Sequence, residues 1–155
     1  MEVLSQNKQF LTFKLSEEQY GIDVLQVREV LEIPRITRVP RMPVYMKGVI
    51  NIRGSVVPVI DLRLKLGLVE AEYTVHSRVI IIEINAASEL IALGILVDSV
   101  QEVIDILANE VSPSPQIGSQ IDSDFIHGIA KIDQNFVIII DIEHVSLATL
   151  LLLLF

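Results

Sequence analysis

Catalysis or metal binding would have to start from histidine, cysteine or closely spaced carboxylates, and this chain of 155 residues offers few of them in usable spacing. His76, His127 and His144 are scattered, with no pair at i, i+4, and cysteine is absent, so a zinc site of the usual kind has no ligand set to draw on. Glu17 and Glu18 are adjacent. On a strand, neighbouring side chains point to opposite faces, which speaks against a general acid and base pair there. No Gly-x-Ser-x-Gly elbow, phosphate-cradling glycine loop or dinucleotide fingerprint occurs. The expected counts of catalytic residues, metal ligands and cofactors are therefore all zero.

The chemistry that remains is charge. Residues 1–27 carry a net charge of -2, residues 28–65 carry +5 and residues 66–155 carry -11. The total of -8 argues against nucleic acid, whose binding rests on basic surfaces that displace counterions. A basic middle beside an acidic half suits contacts with charged protein partners, and the competing reading is an ordinary solvated surface.

Elements must hold these charges in place. Hydrophobic residues make up 51% of the chain and aromatics 5%, which is enough to fill one compact core with aliphatic side chains. Gln9–Leu15 and Gln19–Val24 read as a hairpin around Ser16, Glu17 and Glu18, and Val27–Ile33 alternates as another strand. Pro34, Pro40 and Pro43 punctuate a basic loop, and Met46–Ile52 with Val56–Ile60 forms a second hairpin across Arg53, Gly54 and Ser55. Asp61 is placed to cap a short helix that Gly67 stops. The N-terminal stretch shows no secretory signal pattern, and the apolar run Leu150–Phe155 is far shorter than the roughly 20 residues of a membrane span, so a soluble chain without a transmembrane segment is expected.

The second half repeats the first. YGIDVLQVREVLEI (20–33) aligns with LGILVDSVQEVIDI (93–106) at about half of its positions, KGVINIRGSVVPVIDL (47–62) aligns with HGIAKIDQNFVIIIDI (127–142), and QFLTFKL matches RVIIIEI (78–84) in pattern. Two similar small antiparallel barrels follow, covering 9–68 and 78–145, with Val69–Ser77 between them and exchange of terminal segments open. Features shared by both copies serve the fold: Gly21 with Gly94, Gly48 with Gly128, Asp61 with Asp141. A feature found in one copy is a candidate site. The hairpin tips differ in this way, since Arg53 in the first copy is Asp133 in the second.

The run QFLTFKLSEEQYGIDVLQVREV, the loop IPRITRVPRMP, the element GVINIRGSVVPVIDLR, then LGILVDSVQEV and FVIIIDIEHV together resemble the CheW-like coupling proteins of bacterial chemotaxis from about Gln9 to Val145. The Asn51-Ile52-Arg53-Gly54 turn followed by VVPVIDLR is the most specific part. The resemblance implies an all-β fold of two SH3-like five-stranded barrels forming one CheW-like domain over 1–155. It also implies a non-catalytic adaptor, located in the cytoplasm and recruited to receptor arrays. The implied partners are methyl-accepting chemotaxis receptors and the regulatory domain of the kinase CheA.

The implied receptor groove uses Val27, Val79, Val100 and Val103, into which a receptor's helical tip would lay an apolar face. Valines at strand spacing are equally the material of a core. Arg53, with Glu29 as charge partner and the loop residues Arg35, Arg38 and Arg41, forms a second set at a kinase or receptor interface, because arginine's planar fork binds carboxylates in fixed geometry. Two alternatives stand beside the adaptor: a regulatory-domain fragment of a kinase, and a small-molecule-binding β-barrel, although barrels of this size are normally filled by their own side chains. The ending SLATLLLLLF departs from the polar tail usual in the family.

Overall fold

The computed structural model describes residues 7–86, 89–112 and 126–140. Asp141, His144 and the apolar ending lie outside the described residues. Strands β1 (Asn7–Leu15) and β2 (Glu18–Asp23) form the first hairpin, and a single 3-10 turn over Val24–Gln26 leads into β3 (Val27–Glu32). The second hairpin is β4 (Met46–Ile52) with β5 (Ser55–Asp61), followed by helix α1 (Leu62–Lys65). The second copy supplies β6 (Arg78–Ala86), β7 (Glu89–Val97), β8 (Ser99–Leu107), β9 (Val111–Ser112), β10 (Ile126–Ile132) and β11 (Asn135–Ile140).

The protein is mostly β and builds two SH3-like barrels. Their sheets do not divide at residues 69–77. One sheet runs β8-β1-β2-β11-β10-β9 and the other β3-β6-β7-β5-β4, so each takes strands from both sequence copies. The first copy hands β3, β4 and β5 to the barrel begun by β6 and β7, and the second hands β8 to β11 to the barrel begun by β1 and β2. The contiguous halves 9–68 and 78–145 are thus repeats in sequence, whereas the units in space are interchanged. The six and five strands are equivalent, because the two-residue β9 corresponds to the isolated bridge between Thr37 and Val49 in the other barrel.

Aliphatic packing explains why the copies stay together. Each barrel has an interior of its own, built in one from Ile50, Val57, Val59, Val79, Ile81 and Leu96, and in the other from Phe10, Ile106, Ala130, Val137 and Ile139. The largest cluster belongs to neither: Phe13, Leu15, Tyr20 and Ile22 from one sheet meet Ile60, Ile80, Ile82 and Ile95 from the other, with Leu62 of α1. Each such side chain stabilises the fold by about 1.5–3 kcal/mol on burial. The interiors are packed largely by the barrels' own residues, with a cavity of about 420 Å³ lined by Phe10, Ile106, Val111 and Ile139 beside the interior of the six-stranded one.

The shared glycines mark close approaches. A Cβ on Gly48, whose φ is +145°, would lie 2.1 Å from the Thr37 carbonyl oxygen, and one on Gly128 would lie 2.5 Å from that of Ser112. Both therefore allow the same strand crossing, once in each barrel. Asp61 caps α1 by accepting hydrogen bonds from the Arg63 and Leu64 amides at 3.0 and 3.4 Å.

Candidate functional site

Two corresponding strands, β3 and β8, carry most of the candidate positions. Each lies at one margin of its sheet and each contains a β-bulge, between Val27 and Glu29 in one and opposite Leu11 and Phe13 in the other. The bulge turns the strand over. Val27 opposite Ile82 and Val100 opposite Phe13 therefore pack, half-buried, on the large cluster between the barrels, while Leu31 further along β3 packs into a barrel interior. The duplication places both valines at the same register point, one from each side of the seam.

The other two valines separate from this pair. Val103 is 47% exposed on the outward face of β8, and its repeat counterpart Val30 is likewise exposed on β3. Val79 is 0% exposed inside the five-stranded barrel, and this corrects its assignment to a receptor groove: β6 is the second strand of that sheet, covered on both faces, so its side chain is core. Val30 escaped sequence reasoning, although its alignment with Val103 was there to be used.

Arg53 sits at the tip of the β4–β5 hairpin. It has φ 48° and Gly54 has φ 89°, the two successive positive values that a two-residue hairpin turn of the I′ kind requires. Asn51 supports the turn by accepting a hydrogen bond from the Gly54 amide at 2.9 Å. The Arg53 guanidinium reaches Glu29 on β3, donating from Nη2 to Oε2 at 2.6 Å, with side chains 68% and 24% exposed. β3 and the β4–β5 hairpin lie at opposite margins of the sheet, so this pair closes the barrel's seam beside the Thr37–Val49 bridge. At the corresponding positions of the other barrel stand Glu102 and Asp133, two acids, which leaves the ion pair specific to one barrel.

The loop arginines Arg35, Arg38 and Arg41 are all exposed, Arg41 with φ 63°, and none forms an ion pair among the described residues. Burial raises the Asp61 carboxyl above the ordinary aspartate range, against the hydrogen bonds from the Leu64 and Arg63 amides, the charge of Lys47 and the Tyr73 hydroxyl. Tyr73 donates to Asp61 at 3.3 Å, and its own pKa is pushed upward by burial and by that carboxylate. Among the described residues no group of three or more His, Asp or Glu side chains is placed to hold a metal ion. None of the described helices is long and apolar enough to cross a membrane.

Two filled barrels sharing a core, with an apolar seam between them and a charged hairpin tip on one, define a scaffold module. The chain matches the CheW-like domain family over residues 9–148. It is 37% identical to the chemotaxis protein CheW of Bacillus subtilis over 135 residues, covering 86% of this chain and 83% of that one. It is 33% identical to the chemotaxis protein CheW of Klebsiella aerogenes over 136 residues, covering 88% and 80%. The crystal structure of the scaffolding protein CheW from Thermoanaerobacter tengcongensis superposes with a TM-score of 0.81 at 38% identity, covering 90% of this chain and 92% of that one. The chain belongs to the CheW family of chemotaxis scaffold proteins, which are not enzymes.

Proposed function

We propose that this protein couples the cytoplasmic tips of methyl-accepting chemotaxis receptors to the regulatory domain of the kinase CheA, without chemistry of its own, in the cytoplasm at membrane-bound receptor arrays. The observation that carries the reading is the asymmetry of two otherwise equivalent barrels. Only one has the Arg53–Glu29 pair at its tip, while both contribute a bulge-directed valine to the seam. A scaffold with two different partners needs such non-equivalent surfaces, since specificity is a difference in affinity between sites.

In this reading Val27 and Val100, with Val103 at the outer margin, receive an apolar helical face from the receptor. Arg53 and Glu29 lie at a charged interface, and Arg35, Arg38 and Arg41 contribute to the basic surface around it. The kinase's regulatory domain, being of similar fold, meets the barrels end to end. The test is a pull-down of the full chain with receptor cytoplasmic fragments and with the CheA regulatory domain, each alone. Binding to each supports the proposal, and binding to neither defeats it.

A further inference from the structure

The chain passes between the two sheets twice among the described residues, at Val24–Gln26 between β2 and β3 and at Asp98 between β7 and β8. The repeat makes the two passages equivalent, with Leu25 aligned to Asp98, yet they are held very differently. Leu25 is 87% exposed. Its amide is bonded only to Asp23 beside it, at 2.9 Å. Asp98, by contrast, is tied to both barrels at once. Its amide donates to the Lys14 carbonyl at 3.0 Å and its Oδ2 accepts from the Ser16 amide at 2.7 Å, both on the β1–β2 hairpin of the six-stranded sheet. The same Oδ2 pairs with Nη2 of Arg63 on α1. Arg63 is buried, and α1 packs on β5 and β7 of the five-stranded sheet.

We infer that Arg63 and Asp98 form a clasp that fixes the angle between the barrels, and that Arg63 is a positioning residue for the receptor groove. Asp98 lies two residues before Val100, so the clasp sets where β8 begins and how the Val100 side of the seam faces the Val27 side. The charge-assisted bond is partly shielded, with the Arg63 and Asp98 side chains 9% and 35% exposed, which makes it stronger than a fully exposed pair. A clasp at one passage and none at the other makes Asp98 the fixed joint and the Leu25 passage the compliant one. The consequence for binding rests on the receptor-groove reading above, whereas the consequence for barrel orientation does not.

The test uses the full chain, which has no native cysteine. Spin labels on Glu32→Cys and Asp105→Cys, equivalent exposed sites on β3 and β8, report the distance between barrels. Receptor-fragment affinity is measured on the unlabelled protein. Arg63→Met and Asp98→Leu should each broaden the distance distribution and weaken receptor binding by about twofold to thirtyfold, and Leu25→Asp should change neither. If Arg63→Met does not fold, the milder Asp98→Asn decides the matter with the same two readouts. A distribution as narrow in these variants as in the wild type overturns the clasp. Broadening without any loss of receptor affinity overturns the positioning role. Absence of receptor binding by the wild type would count against the coupling reading alone, because the label distances still decide whether the clasp exists.

Discussion

Replacing Arg53 by asparagine separates folding from partner binding better than any other substitution in this chain. The residue is held at φ 48°, a left-handed conformation that costs a branched-chain or long side chain about 1–2 kcal/mol and that asparagine tolerates well. Against that gain stands the loss of the Glu29 pair. The Arg53 side chain is 68% exposed, so water screens the bond, and pairs of this kind contribute about 0.2–1 kcal/mol. The two effects oppose each other. Folding stability should therefore stay the same or rise by up to about 2 kcal/mol, at most about 4–8 °C in melting temperature for a chain of this size. If partner docking buries Arg53, its charge-assisted bonds are lost from the complex at about 2–5 kcal/mol, roughly a thirtyfold to several-thousandfold weakening. Arg53→Asp, which reproduces the other barrel's tip, adds repulsion to Glu29 and should bind no better. The assays are a thermal melt and titration against each partner. A variant with wild-type melting and wild-type affinity for both partners would refute the assignment.

Other substitutions follow from the packing. Val79→Ala opens a cavity in a barrel interior and should cost about 1–3 kcal/mol in urea unfolding, while the folded fraction binds receptor fragment as the wild type does; a selective loss of receptor affinity would return Val79 to the groove. Val27→Lys or Val100→Lys should weaken receptor binding, since the ammonium must be desolvated against an apolar helix, and unchanged affinity with an unchanged melt would remove both from the groove. Gly48→Ala forces a Cβ against the Thr37 carbonyl and should destabilise far more than Gly54→Ala, whose Cβ would meet nothing within 4 Å and which bears only the strain of φ +89°; equal melting temperatures would show that the Thr37–Val49 bridge is dispensable. Asp61 has a folded pKa raised by burial, so its contribution is fully present below the unfolded value near about 4 and is lost as pH rises through the folded pKa. Asp61→Asn keeps the cap without the charge, so its stability relative to the wild type should improve from pH 4 to pH 7; a difference independent of pH would contradict the raised pKa.

The duplication was the most informative feature of the sequence, and also the one that hid the topology. Alignment of residues 20–33 with 93–106 pairs Val27 with Val100, and alignment of 47–62 with 127–142 sets Arg53 against Asp133. It could not reveal that β3 pairs with β6 and β8 with β1, because apolar alternation is the same whichever neighbour a strand has. The bulges were hidden for a related reason: nothing in VREV or VQEV announces an extra residue, yet the bulge is what turns Val27 and Val100 to the seam. Val79 read as a surface candidate because a valine in a strand looks alike on either face. Glu29 was legible as Arg53's partner through family resemblance. Arg63 and Asp98 were not, since they are 35 positions apart and meet only because the strands are exchanged.

The measurement closest to the central claim is kinase activity in a reconstituted mixture of this protein, receptor cytoplasmic fragments and CheA. The protein alone should release no phosphate above background, and its addition should raise CheA autophosphorylation only when receptor is present, with Arg53→Asn abolishing most of that rise. Equal kinase activity with and without this protein, in the presence of receptors that activate CheA through another CheW, would contradict the coupling function.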